Sequence, residues 1–188
     1  DATINSNSSL TFNSKVFSSS FASFFHNYGT LTFNSNDVFR PPYQDAQTVF
    51  LNYSGSTVNY AASSGSSGDF PIPNNGYYNL NISGNADCNG DLTIYENWTN
   101  NGTFTSSTAG NIVTFNGSSS QNISGSGTSN FKNLDLNNTN GLNLTGGTIN
   151  IDEILSSTSG SITQNGANLN LTSSSDNNAG AVKINSSS

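Results

Sequence analysis

Charged residues are scarce in this sequence, and positively charged ones are the scarcest. Asp, Glu, Lys and Arg together make up 8% of the 188 residues, whereas a typical soluble domain contains about 25%. Only four residues are Lys or Arg, and the net charge is −7. Proteins that bind nucleic acid or anionic membrane surfaces contact the phosphates with clustered Lys and Arg. The composition therefore argues against both kinds of partner.

Sulfur-containing residues and long apolar runs are also scarce. Cys88 is the only cysteine, so no disulfide can form within the chain. No apolar run approaches the roughly 18 residues that a membrane-spanning helix needs. Methionine is absent even at position 1, which leads us to expect a mature or excised piece from which any signal peptide has been removed. A chain so poor in charge and so rich in Asn, Ser, Thr and Gly suits a secreted or cell-surface location.

Hydrophobic residues are present as short groups that alternate with polar residues. Examples are LTF, LTI, IVTF, LNL and INI. Successive side chains of a β-strand point to opposite faces, so this alternation predicts short strands with one buried face. Disordered segments of low complexity do not keep such a period and are usually rich in charge. The pattern therefore predicts a folded all-β chain.

Three similar stretches recur along the chain. FFHNYGTLT begins at Phe24, WTNNGTFT begins at Trp98, and a third stretch ends in GSIT at residues 160–163. Aligned on their glycines, the stretches place Trp98 opposite Phe25 and Leu155, so we expect Trp98 to pack in the core. Internal repetition on this scale is typical of solenoids and arrays.

From Leu92 onward, apolar residues fall into two columns with steps of about 20 residues, a length that suits one coil of a solenoid. The first column is Leu92, Ile112, Leu134, Ile151 and Leu171, and the second is Phe104, Ile123, Leu142, Ile162 and Val182. Stacked coils would bury such columns, which no single coil could bury alone. We therefore predict a parallel β-helix (β-solenoid) with these residues inside and their Thr, Ser and Asn neighbours outside.

The abundant Asn and Gly fit the turns of such a coil. Both residues tolerate the left-handed backbone conformation of sharp turns, and stacked Asn side chains can hydrogen-bond from one coil to the next. A β-sandwich of short strands is the competing fold. The stretch SSFASFFHNY also admits a short amphipathic helix, although the repeat alignment favours a strand for its end.

The two halves of the chain differ in composition. Residues 78–188 carry the regular repeats and should form regular coils, whereas residues 1–77 are richer in aromatic residues and proline and should form a looped, capping part of the solenoid. Sugar-binding surfaces often present aromatic rings amid polar residues, because the apolar face of a sugar packs on a ring. The sequence therefore offers five candidate carbohydrate-binding residues in or beside loops: Tyr43, Tyr53, Tyr60, Tyr77 and Tyr78. The alternative is that these rings cap an open strand edge.

The second half resembles the repeat regions of large secreted and cell-surface proteins that gliding, Bacteroidota-type bacteria export by the type IX route. The stretch NWTNNGTFTSSTAGNIVTFNGSSSQNISGSGTSNFKNL and the following GLNLTGGTINI carry the resemblance. It covers roughly residues 78–188, with a looser echo over residues 1–77. The resemblance implies a β-solenoid stalk or adhesin segment. The sorting domain typical of these proteins is not visible, which implies a fragment or a cleaved product.

Residue sets for catalysis or metal binding are hard to assemble from this sequence. Glycoside hydrolases need two carboxylates around one sugar bond, but the acidic residues are scattered. A turn between Asp87 and Asp91 could hold calcium, although solvated turn acids are the simpler interpretation. His26 is the only histidine, so neither a catalytic triad nor a transition-metal site is expected. We therefore predict no catalytic residues, no metal site and no cofactor.

These observations predict a non-enzymatic extracellular solenoid, namely a stalk, filament or adhesin segment. Carbohydrate binding through the N-terminal aromatic residues is the alternative. Ice binding is a minor alternative, because the Gly-Thr-Leu-Thr, Gly-Thr-Phe-Thr and Gly-Ser-Ile-Thr motifs place hydroxyls on either side of an inward residue. Expected partners are a surface glycan, other copies of the chain or adjacent repeats. The last coil, which ends near Ile184, should abut another coil, subunit or domain, because an open end would expose strand edges.

Overall fold

The computed structural model describes residues 2–13, 24–34, 49–62, 70 and 72–172, and the backbone of residues 181–184. These residues form strands and no helix. The strands are β1 (Ala2–Ile4), β2 (Ser9–Phe12), β3 (Phe24–Asn27), β4 (Thr30–Phe33), β5 (Val49–Asn52), β6 (Thr57–Tyr60), β7 (Asn79–Ile82), β8 (Asn85–Cys88), β9 (Leu92–Ile94), β10 (Trp98–Asn100), β11 (Thr103–Ser106), β12 (Ile112–Phe115), β13 (Gln121–Ser124), β14 (Thr128–Asn137), β15 (Leu142–Leu144), β16 (Thr148–Ser159), β17 (Ile162–Gln164), β18 (Asn168–Leu171) and β19 (Ala181–Ile184).

The strands stack as successive coils of a parallel β-solenoid. Every strand pairing among the described residues is parallel, and coils of about 21 residues make about 7 turns. The predicted parallel β-helix is therefore confirmed, and the antiparallel sandwich is excluded. The end of SSFASFFHNY is the strand β3, while residues 14–23, where a helix would begin, lie outside the described residues.

Each regular coil contributes to three faces. Face 1 contains β1, β3 and β5, continues through residues 72–77, and then contains β9, β12, the C-terminal halves of β14 and β16, and β19. Face 2 is an eight-stranded sheet that runs from β2 to β17, and β6 pairs directly with β7 within it. Face 3 contains β8, β11, the N-terminal halves of β14 and β16, and β18.

The core is a continuous apolar column inside the three faces. Strands such as β4, β6 and β7 alternate half-buried and buried residues, which is the period-two pattern of a sheet with one covered face. Trp98 is fully buried, and its ring packs edge-on against Phe104 at 4.7 Å and against Phe131 at 5.4 Å. The expectation that Trp98 packs in the core is confirmed.

The two predicted columns were assigned partly to the wrong positions. Leu92 pairs with Val113, so Val113 is buried and the neighbouring Ile112 is 39% exposed. Because side chains alternate between faces, an error of one residue moves a side chain to the other side of the sheet. The second column mixes Phe104 of face 3 with residues of face 2 and with Val182 of face 1.

Most residues of the two predicted columns are nevertheless buried, as predicted. Leu134, Ile151, Phe104, Ile123 and Leu142 are buried, and Ile162 is partly buried against the core. Leu171 is 44% exposed because it lies on β18, at the end of the described strands of face 3.

Two of the three repeated stretches form turns with the same hydrogen bonding, although the two turns lie at different corners of the coil. Asn27 is the last residue of β3 in face 1, and Asn100 is the last residue of β10 in face 2. Both side chains are buried. Each Oδ1 accepts the main-chain N–H of the glycine two residues later, Gly29 or Gly102, at 3.1 and 2.9 Å. A Cβ on Gly102 would lie 2.0 Å from the carbonyl oxygen of Gly84 in the preceding coil. The repeat therefore encodes a tight corner rather than a fixed face.

Truncation of Ile151 should destabilise the protein far more than truncation of Ile112. Ile151 is 1% exposed and Ile112 is 39% exposed, so only Ile151→Ala leaves an unfilled cavity. We expect Ile151→Ala to lower the free energy of unfolding by about 2–5 kcal/mol, and Ile112→Ala to change it by less than about 1 kcal/mol. Urea unfolding followed by circular dichroism measures both, and equal losses would contradict the register of β12.

Removal of the Asn100 side chain should also be costly. Its Nδ2 donates to the carbonyl oxygen of Thr128 at 2.8 Å and to the hydroxyl of Ser129 at 2.9 Å. Asn100→Ala removes both of these hydrogen bonds and the one that the N–H of Gly102 donates to Asn100 Oδ1, so we expect a loss of about 1–3 kcal/mol in urea unfolding. Asn143→Ala, on the outer surface, is the matched control and should cost less than about 0.5 kcal/mol. If Asn100→Ala left the free energy of unfolding unchanged, the Asn100 side chain would not stabilise this corner.

Candidate functional site

The sequence-predicted tyrosines divide into buried and surface residues. Tyr60 and Tyr77 are 1% and 0% exposed and pack in the core with Phe70. Burial raises the pKa of Tyr77 well above its ordinary value. Their rings cannot present a face to a ligand, so the expectation that these two bind carbohydrate is corrected. Tyr43 lies outside the described residues.

Tyr53 and Tyr78 lie on the outer surface, at the corner between faces 1 and 2, together with two tyrosines that the sequence did not single out. Tyr28 follows β3, and Tyr95 follows β9. Parallel pairing stacks the corner residues of successive coils, so Tyr28 lies next to Tyr53 and Tyr78 lies next to Tyr95. Tyr28, Tyr53, Tyr78 and Tyr95 form what we call the tyrosine column.

The rings of the tyrosine column form two pairs. The rings of Tyr28 and Tyr53 are stacked at 4.0 Å with an interplanar angle of 9°, and those of Tyr78 and Tyr95 lie 5.2 Å apart. Tyr28 is 41% exposed. Hydrogen bonding to Tyr28, with a contribution from burial, raises the pKa of Tyr53 above its ordinary value. The two pairs offer ring surface and hydroxyl groups together.

His26 and Phe24 extend the first pair along β3. The ring of His26 stacks on Tyr53 at 5.8 Å, and its Nδ1 shares a hydrogen bond of 2.8 Å with the Tyr53 hydroxyl. Phe24 stacks on His26 at 5.9 Å and is 43% exposed. The only histidine of the sequence therefore belongs to an aromatic surface, where it shares a hydrogen bond with a tyrosine hydroxyl.

A groove lies beside the tyrosine column on the outer surface of face 1. Its volume is about 410 Å³, which falls within the range of small-molecule sites. The lining residues are Ile72, Pro73, Asn74, Asn75, Gly76, Asp91, Leu92, Thr93 and Tyr95. Amide, carboxylate and hydroxyl groups thus surround one aromatic ring and one exposed aliphatic side chain. We call this cavity the face 1 groove.

Glu96 fixes the corner between the two ring pairs. One carboxylate oxygen accepts the main-chain N–H of Gly55 at 3.1 Å, and the other accepts from the Asn79 side chain at 2.5 Å. Gly55 belongs to the turn that follows Tyr53, whereas Glu96 directly follows Tyr95. One side chain therefore links the turns beneath both pairs and restricts their relative movement.

The two carboxylates of the turn that could hold calcium differ in their contacts. Asp91 accepts the main-chain N–H of Ile112 through Oδ1 at 2.9 Å. The Oδ1 atom of Asp87 is buried without a hydrogen-bond partner. In the described part of the chain, no group of three or more His, Cys, Asp or Glu residues is placed to hold a metal ion.

Three hydroxyl-bearing motifs that suggested ice binding do not share one surface. Thr30 and Thr32 lie on β4 and Thr163 on β17, both in face 2, whereas Thr103 and Thr105 lie on β11 in face 3. In face 2 the outward residues that pair with Thr32 and its successors are Asn59 and Asn81. The motifs therefore form no continuous threonine array.

Comparison of the chain with protein-family models, with curated proteins and with solved structures found no match. The part of the chain that the structure describes contains no helix with the length and apolarity needed to cross a membrane.

Cys88 should be unreactive in the folded protein. Its side chain is 1% exposed, and burial raises the pKa of the thiol to about 11. The thiolate is the reactive form, so at pH 8 only roughly one thousandth of the thiol is ionised. We expect a thiol reagent such as DTNB to label the folded chain at least about 100-fold more slowly than the same chain in concentrated urea. Comparable rates at pH 8 would show that Cys88 is accessible.

Proposed function

We propose that the chain is a non-enzymatic extracellular solenoid segment that serves as a structural stalk or adhesin-type element. The observation that carries the proposal is face 2, a parallel sheet of eight strands that continues from β2 to β17. A rod built this way places its two ends at opposite extremes of one covalent chain, which is the geometry that a spacer at a cell surface requires.

The outer surface of face 2 supports this role through polar contacts between coils. Asn59 donates to the hydroxyl of Thr32 at 3.1 Å, and Asn81 donates to Oδ1 of Asn59 at 2.9 Å. Further along the sheet, the hydroxyls of Thr99 and Ser124 share a hydrogen bond of 3.2 Å. Such side-chain ladders join successive coils, and their groups carry no charge that salt would screen.

The roles of the acidic residues agree with a structural function. Glu96 holds the corner at Gly55, and Glu153 accepts the main-chain N–H of Gly110 with both oxygens, at 3.1 and 3.3 Å. Asp152 pairs with Lys132 on the outer surface of face 3. These carboxylates are engaged in contacts between coils, which supports assigning them to the scaffold rather than to catalysis.

Two measurements test the proposal. Antibodies against the purified chain should label intact cells that produce it, without permeabilisation. The purified chain, incubated with a panel of neutral and acidic polysaccharides, should release no new reducing ends above a boiled-protein control. Labelling that requires permeabilised cells contradicts the extracellular role, and sustained release of reducing ends contradicts the non-enzymatic role.

Carbohydrate binding is a second candidate function, favoured by the exposed Tyr28 and Tyr53 ring pair. Stacked tyrosines combine apolar ring surface with hydroxyl groups at low conformational cost. An adhesin-type stalk and a sugar-binding surface are compatible in one chain, because the rings lie outside the core that holds the coils together. Screening the intact chain on a glycan array tests this second function.

A further inference from the structure

We propose that the tyrosine column and the face 1 groove form one binding site for an uncharged oligosaccharide or polysaccharide chain. The inference rests on the carbohydrate-binding candidate and adds to it a location, a ligand class and a direction. It follows from the shape of the surface, the polar groups on it, the sign of the nearby charges and the rigidity of the corner.

The shape is that of an extended site parallel to the solenoid axis. Tyr28, Tyr53, Tyr78 and Tyr95 occupy the same corner in four successive coils, and neighbouring strands are about 4.8 Å apart. The column from Tyr28 to Tyr95 is therefore roughly 14 Å long, which is the length of several linked sugar units. The face 1 groove, lined in part by Tyr95, continues this surface.

The polar groups are of the kind that sugar hydroxyls need. The groove presents the amides of Asn74 and Asn75, the hydroxyl of Thr93 and the carboxylate of Asp91. Asn75 is itself fixed, because its Oδ1 accepts the main-chain N–H of Asn52 and its Nδ2 donates to the Asn52 carbonyl oxygen. The Oδ1 of Asn74 accepts the main-chain N–H of Phe50 at 2.9 Å. Amide groups held by the backbone can orient a ligand without losing much side-chain entropy.

The charges near the site favour an uncharged ligand. The acidic side chains that the described residues place beside it are those of Asp91 and Glu96, and the chain carries a formal net charge of −7. The described ion pair of Lys132 with Asp152 lies on face 3. A uronate or sulfated polymer would meet like charge at the groove, which disfavours binding. Neutral glycans incur no such cost.

Rigidity makes the site preorganised. Each column tyrosine directly follows or lies between hydrogen-bonded strand residues, and Glu96 ties the turn after Tyr53 to the turn after Tyr95. Aromatic rings already stacked on one another lose little freedom when a ligand covers them. Stacking at 4.0 Å covers one face of each ring in the Tyr28 and Tyr53 pair, so this pair offers a sugar its ring edges, the outer face of the 41% exposed Tyr28 and its hydroxyls.

Affinity electrophoresis of the intact chain tests the proposal. The gels contain neutral soluble polymers (hydroxyethylcellulose, mixed-linkage β-glucan, galactomannan and arabinoxylan) or the acidic polymers alginate and polygalacturonate. We expect at least one neutral polymer to retard the chain and the acidic polymers to have no effect. Isothermal titration with oligosaccharides of the retarding polymer then gives the affinity.

Substitutions locate the site. The double variant Tyr28→Ala/Tyr53→Ala should weaken binding at least about tenfold, and Tyr95→Ala should weaken it independently. The matched control is Asn116→Ala/Asn137→Ala, two exposed residues on the same corner in later coils, which should leave affinity unchanged. Circular dichroism confirms that each variant is folded, and Tyr53→Phe, which keeps the ring, should retain most of the binding.

Several results would overturn the inference. It fails if no neutral polymer retards the chain, if the acidic polymers bind more tightly, or if the tyrosine variants bind as well as the control. None of these outcomes affects the stalk proposal, which depends on cell-surface labelling and on the absence of cleavage. Conversely, retardation without cleavage in a chain confined to the cell interior would support the binding site and contradict the extracellular role.

Discussion

Parallel hydrogen bonding between successive coils is the constraint on which the rest of this structure depends. Once one coil is in register with the next, paired strand residues lie side by side, and their inward side chains form columns. The column Leu31, Val58, Leu80 and Trp98 illustrates this on face 2. The same register produces the polar ladders outside and the tyrosine column at the corner. Core, surface and candidate site are therefore consequences of one set of main-chain contacts.

At the corners, the main chain lacks the strand partners that maintain this register elsewhere. A buried side-chain amide, such as that of Asn27 or Asn100, substitutes for the missing strand partners and accepts the N–H of a glycine that no larger residue could replace. Carboxylates also stabilise corners, over longer distances. Glu96 and Glu153 each accept a main-chain N–H from a residue about two coils away. Asn, Gly and a few acids therefore close the coils where apolar packing cannot.

The proposed binding surface is separate from the contacts that hold the coils together. The core and the ladders hold the coils, and neither needs the aromatic surface that Phe24, Tyr28 and Tyr53 form on β3 and at the corner that follows face 1. Low charge elsewhere leaves that aromatic surface as the most distinctive chemical feature of the described residues. In the proposed stalk, a binding strip along one edge is compatible with a rod of any length, since adding coils lengthens the rod without altering that edge.

The sequence by itself determined the fold class, because period-two alternation and a repeat near one coil length admit few other arrangements of parallel strands. It also determined that Trp98 is inside, through its alignment with Phe25. It did not determine which residues share a column, since coils differ in length and a slip of one residue exchanges Val113 for Ile112. Tertiary structure alone decided that Tyr60 and Tyr77 are core residues while Tyr28, Tyr53, Tyr78 and Tyr95 share an edge. The physical reason is that a tyrosine suits either environment, and only the register between coils fixes the side of the sheet to which it points.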